Sequence, residues 1–204
     1  MLNFLKNHKL ILFIPLAYAL YYLAFQDADI FWYMYTFSIL VLMSVAMLYT
    51  KIFDGMATWK SLIYGLGYGI LIYAIIAAGY QVMQLSPLAI EGSVNSFLST
   101  FAPVSIWHYL LLMFIIVPGE EIFWRGFLQQ EIKKYLPVGY SIAISSLLFG
   151  LALGISGFGP GVLAGIAAGL VLGALYEWKR SMPLLIITHL VMIVLLFLVM
   201  PLAG

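Results

Sequence analysis

Long apolar runs broken by short polar clusters recur along the whole chain. Seven of them approach the roughly 20 residues that a helix needs to cross a bilayer core. They are Leu10–Phe25, Ile30–Tyr49, Ser61–Met83, Val104–Phe127, Val138–Leu153, Gly161–Tyr176 and Leu184–Met200. This pattern predicts an all-α, multi-pass transmembrane helix bundle of seven spans. Between the third and fourth runs, Ser86–Ser105 is polar and interrupted by Pro87, Gly92 and Pro103. It predicts a loop with a short interfacial helix around Val94–Phe101. The stretch from Val104 to Leu136 is too long for one straight crossing at about 1.5 Å per residue. An eighth helix follows if span four breaks near Gly126.

The basic residues order these spans. Lys6 and Lys9 precede the first, Lys51 and Lys60 lie between the second and third, and Arg125, Lys133 and Lys134 follow the middle of the fourth. Lys179 and Arg180 lie between the sixth and seventh. With seven spans all nine fall on one side, and the opposite loops hold Asp27, Asp29 and Glu91. The positive-inside rule then predicts a cytoplasmic N-terminus, an outside C-terminus and a multi-pass protein of the cell membrane. The first run imitates a signal peptide, with Lys6, Lys9 and Ala17-Tyr18-Ala19. It continues past Ala19 to Phe25, which predicts a retained helix.

Composition fits this picture. Only 8% of residues are charged, against about 25% in a soluble domain, and the mean hydropathy is +1.09. The lipid bilayer is the implied partner, and a net charge of +1 argues against nucleic acid. The chain has no cysteine, which excludes disulfides and thiolate chemistry. No cofactor box stands out among the aromatic and methionine residues. Gly161, Gly165, Gly169 and Gly173 recur every four residues in span six. They predict a bare helix stripe for close packing, continued by Gly150 and Gly154 in span five. Residues 1–204 read as a single membrane domain.

Within this oil, Pro118-Gly119-Glu120-Glu121-Ile122-Phe123-Trp124-Arg125 carries three charges. A charged residue at a helix centre costs about 2.5–3.5 kcal/mol on insertion scales, so it faces the bundle interior and pairs. Glu121 and Arg125 stand at i, i+4 and predict a structural ion pair on one helix face. Glu120 points about 100° away and is left for another partner. Intramembrane acids of this kind default to a functional role.

Three ordered segments resemble the CAAX-protease and bacteriocin-processing family, also called the Abi family. Glu120-Glu121-Ile122-Phe123-Trp124-Arg125 resembles its EExxxR motif, followed by Gly126-Phe127-Leu128. Ser145-Ser146-Leu147-Leu148-Phe149-Gly150 resembles the second motif, which continues FxxxH. Gly169–Tyr176 followed by Thr188-His189 resembles the third, which ends in HxxxN or HxxxD. The resemblance covers Val104–Leu196, a family-like core at 104–196 preceded by N-terminal helices at 1–85. It implies an intramembrane glutamate-type peptidase acting on prenylated or hydrophobic peptides. By it the first glutamate and the second-motif histidine activate water, while the third-motif histidine and its Asn or Asp stabilise the oxyanion. Carried over, the catalytic group is Glu120, Glu121 and His189.

Two positions depart from the pattern. FxxxH lands on Leu153, and HxxxN lands on Ile193. Neither side chain can donate a hydrogen bond or move a proton. His108 stands twelve residues before Glu120, about 18 Å along the helix, too far to substitute. By depth His189 and Glu120 can meet, whereas Leu153 ends span five and lies too far outward on a straight axis, unless the helix tilts or starts later after Pro137. No metal site is expected, since catalytic zinc takes three protein ligands. Three functions remain: a catalytically impaired scaffold or regulator of a membrane partner, an active endopeptidase with Glu120 as base, and a small transporter. The transporter reading lacks inverted repeats. The departures favour the impaired form, a pseudoenzyme.

Overall fold

The computed structural model describes residues 9–51, 54–85 and 90–202. Lys6 and His8 lie outside the described residues, as does Pro87. Among the described residues eight helices follow in order: α1 (Lys9–Ala24), α2 (Phe31–Tyr49), α3 (Thr58–Gln84), α4 (Ile90–Phe101), α5 (Ile106–Ile132), α6 (Val138–Leu153), α7 (Gly159–Lys179) and α8 (Met182–Val194, with a further turn Leu195–Val199). Six of them are long and apolar enough to cross a membrane, and α1 is a shorter apolar helix of 16 residues. The protein is an all-α, multi-pass bundle. Amphipathic α4 occupies the predicted loop and buries Ile90 and Val94.

Local chemistry explains the boundaries. The hydroxyl of Ser105 accepts from the His108 amide at 3.3 Å and caps α5. Ser181 does the same for Leu184 at 3.4 Å, with Pro183 in the first turn of α8. Gly157, at φ 78°, makes the tight turn from α6 to α7.

Helix α5 does not break at Gly126. It runs unbroken from Ile106 to Ile132, so no eighth crossing arises there. It absorbs its length through two π-helical stretches, Leu112–Ile116 and Ile122–Leu128. Within the second, the Gly126 carbonyl accepts a hydrogen bond from the Thr50 hydroxyl at 3.2 Å.

The glycine stripe of α7 packs on α6. A Cβ on Gly169 would stand 2.8 Å from Cβ of Ser146, and one on Gly165 would stand 3.1 Å from the Gly150 Cα. A second close seam joins α3 to α8, where Gly69 meets Val191 and the Thr188 carbonyl. Small residues let helix backbones approach, which is the main source of helix attraction where no hydrophobic effect operates.

The end of the bundle that carries the basic residues is tied by ion pairs. Glu131 meets Lys9 at 3.0 Å and Lys134 at 2.5 Å. Glu177 meets Lys133 and, at 2.9 Å, Arg180, and accepts from Gln130 at 2.6 Å. The Gly55 amide donates to the Arg180 carbonyl at 3.0 Å.

Two outcomes are expected. The natural chain has no cysteine, so single cysteines report sidedness. Gly157→Cys is expected to react with a membrane-impermeant maleimide from outside intact cells and Lys134→Cys only after lysis. The reverse result would invert the topology. Gly169→Leu is expected to lower the thermal midpoint in detergent, because its side chain has no room against Ser146. An unchanged midpoint would place the stripe outside the packing seam.

Candidate active site within the bundle

Glu120 and Glu121 close an α-helical turn of α5 and Arg125 lies in the π-helical stretch that follows; all three are buried, with 5%, 0% and 2% exposure. Arg125 Nη1 donates to Glu121 Oε1 at 2.9 Å, the predicted i, i+4 pair. The same oxygen meets His189 Nδ1 on α8 at 2.7 Å. One carboxylate thus holds both the guanidinium and the imidazole. Charge-assisted hydrogen bonds of this kind are about twice as strong as neutral ones. With Nδ1 directed at Glu121, the other ring nitrogen of His189 is presented to Glu120, 3.9 Å from Oε2. That distance is too long for a direct hydrogen bond. Glu120 therefore faces His189, but the bond that fixes the imidazole is made by Glu121.

Second-motif Phe149 supports this cluster. Its ring lies 4.5 Å under the Arg125 guanidinium and 5.5 Å from Trp124. A cation over an aromatic face is attracted by the ring quadrupole, more strongly when desolvated.

The hydrogen bonds to Glu120 come from the N-terminal helices. The Tyr35 hydroxyl on α2 donates to Oε1, and the Tyr21 hydroxyl on α1 donates to the same atom at 3.2 Å. The Trp124 indole N–H donates in turn to the Tyr21 oxygen at 3.2 Å. Tyr21 and Tyr35 stand edge to face, ring centroids 5.3 Å apart. The sequence reading missed both tyrosines. Each lies in an ordinary-looking apolar run; the available signal was a buried phenol, which needs a partner for its hydroxyl.

Glu120, His189 and Tyr35 line a cavity of about 220 Å³ between α2, α5, α6, α7 and α8. Leu153 and Ile193 line the same cavity. Leu153 thus borders the same cavity as Glu120, the outcome that counting along a straight axis left open. The remaining wall is almost entirely hydrocarbon, with Ser156 the other polar residue. His108 is elsewhere, stacked on Trp32 at 4.6 Å. Among the described residues, no three His, Cys, Asp or Glu side chains gather as metal ligands would.

Comparison with known families matches residues 102–195 to the family described as type II CAAX prenyl endopeptidase Rce1-like. The matched segment holds all three motifs, and it supports the resemblance to the CAAX-protease family. Comparisons with curated proteins and with solved structures gave no match.

Arg125→Ala leaves Glu121 buried beside His189 without its cation. It is expected to cost about 3–5 kcal/mol of stability. Glu120→Gln keeps the shape and both tyrosine hydrogen bonds, and is expected to cost much less. Unfolding of the two variants in parallel checks the order; equal losses would contradict this division of labour.

Proposed function

We propose that this protein is a catalytically impaired, CAAX-protease-like protein of the cell membrane. In this reading it binds a hydrophobic or prenylated peptide, or a membrane protein that presents one, as a scaffold or regulator. The observation that carries the reading is the position of Leu153 and Ile193. Both line the cavity that exposes Glu120 and His189. Where the family resemblance implies a histidine and an Asn or Asp, a ligand at Glu120 meets two hydrocarbon side chains.

The expected penalty is large. Loss of an acid–base partner costs about 10²–10⁴ in rate, and loss of one oxyanion donor about 10²–10³. Multiplied, the two give roughly 10⁴–10⁷, and less if the residues act as a unit. Glu120 also spends one oxygen on two tyrosine hydroxyls. That arrangement satisfies a buried acid and suits a binding group.

One observation favours a second reading, an active endopeptidase. Glu121 orients His189, whose free ring nitrogen and Glu120 Oε2 stand 3.9 Å apart. A water held between them would have two basic neighbours, with Tyr35 as a nearby proton donor. A cleavage assay on the purified, detergent-solubilised protein separates the readings. The unmodified protein is expected to turn over a prenylated peptide at background rate, and Leu153→His with Ile193→Asn is expected to raise that rate. Glu120-dependent turnover by the unmodified protein would establish the peptidase instead.

A further inference from the structure

The basic end of the bundle carries more cations than its acids can take up. Glu131 takes Lys9 and Lys134, and Glu177 takes Lys133 and Arg180. Asp54 is the remaining acid there, and its Oδ1 lies 3.5 Å from the Ser181 hydroxyl. Among the described residues, Lys51, Lys60 and Lys179 make no ion pair with Asp54 or with any other carboxylate.

Two of these lysines rest on aromatic rings instead. The Lys179 ammonium, in the last turn of α7, lies 3.5 Å from the Trp178 ring centroid and 4.7 Å from that of Tyr64 on α3. Tyr68 completes the group, stacked on Tyr64 at 6.5 Å and edge-on to Trp178 at 6.2 Å. Lys60 stands one helical turn before Tyr64 on α3, with its ammonium 5.4 Å from the Trp59 ring. A ring face attracts a cation but leaves its charge in place. Lys9 is the contrast: it lies 4.7 Å from the Tyr49 ring, but Glu131 neutralises it. The helix ends do not cancel the excess. The C-terminus of α7 offsets about half a charge, and the N-terminus of α3 restores about as much. That N-terminus has no side-chain cap and no acid in its first turn.

We infer that Lys60 and Lys179 hold the phosphate of an anionic phospholipid at the bilayer surface. Trp59 and Trp178 are exposed, 60% and 62%, as aromatic residues at the level of lipid headgroups are. Ile63, Gly67 and Leu71 stand three, seven and eleven residues after Lys60 and continue its face of α3 into the membrane. Both apolar side chains are exposed, and a Cβ on Gly67 would meet nothing within 4 Å. This face offers a shallow apolar track to an acyl chain, which selects a lipid over a soluble phosphate. The unpaired ammoniums select a headgroup of net negative charge over phosphatidylcholine, whose own cation would be set against them. The inference makes no use of the Glu120 cavity and stands apart from the proposed function.

The test uses the full chain in phosphatidylcholine nanodiscs with trace phosphatidylglycerol that carries a diazirine on its acyl chain. After illumination, peptide mapping is expected to find the label on α3 within residues 62–71. A phosphatidylcholine probe with the same chain is expected to show no preference for that segment. Unlabelled phosphatidylglycerol is expected to compete, and soluble glycerol 3-phosphate is not. Lys60→Gln and Lys179→Gln are each expected to lower the labelling about fivefold, the worth of one lysine near a charged surface. Lys179→Arg is expected to retain it. Lys51→Gln removes the same charge without touching the aromatic patch and is expected to leave the labelling unchanged. The inference is overturned if the two probes label the segment equally, or if glycerol 3-phosphate competes as well as the lipid. It is also overturned if Lys179→Gln has no effect, or if Lys51→Gln has an equal one, which would make the attraction diffuse. The two probes are compared on the unmodified protein, so that arm decides even where a variant fails to fold.

Discussion

Everything in this bundle depends on how buried carboxylates are kept satisfied where no water is at hand. An unpaired charge at a helix centre is costly enough to fix where a helix can sit. Glu121 solves this with Arg125 on its own helix and His189 from α8. Glu120 solves it with hydroxyls from α1 and α2. The two adjacent acids therefore pull in opposite directions across the bundle. Their demands set the relative position of four helices before any contact between apolar side chains is counted. Apolar packing then fills the space, with glycine seams where backbones must approach.

The overall architecture was legible because a membrane solvent enforces simple rules. Apolar length gave the helices to within a few residues, and the glycine spacing of α7 gave its packing face. The Glu121–Arg125 pair followed from helical periodicity alone, which survives the π-helical turn because both residues remain on one buried side. The short helix α4 was found for a different reason, as a polar interruption between two spans.

The rest was not legible, and the reasons are physical. Helix tilt is set by packing between neighbours, so residue counts along straight axes left the depth of Leu153 open. The unbroken course of α5 turns on π-helical stretches that leave no composition signal. Tyr21 and Tyr35 were invisible because a tyrosine in an apolar run has the same pattern whether it faces lipid or an acid. The seam of Gly65 and Gly69 on α3 was overlooked beside the longer glycine repeat of α7, although its spacing is the same. Tertiary partners of single polar atoms are the part of a membrane fold that one-dimensional periodicity does not encode.

The hydroxyls on Glu120 come from helices outside residues 102–195, the segment that matches the Rce1-like family. The motif-bearing half thus does not complete its own chemistry. A chimera that joined this half to the front helices of another protein would inherit the acids and lose their phenols. In such a graft the motifs would read as intact while Glu120 behaved differently, so similarity across the matched half is an unsafe guide to transferable activity.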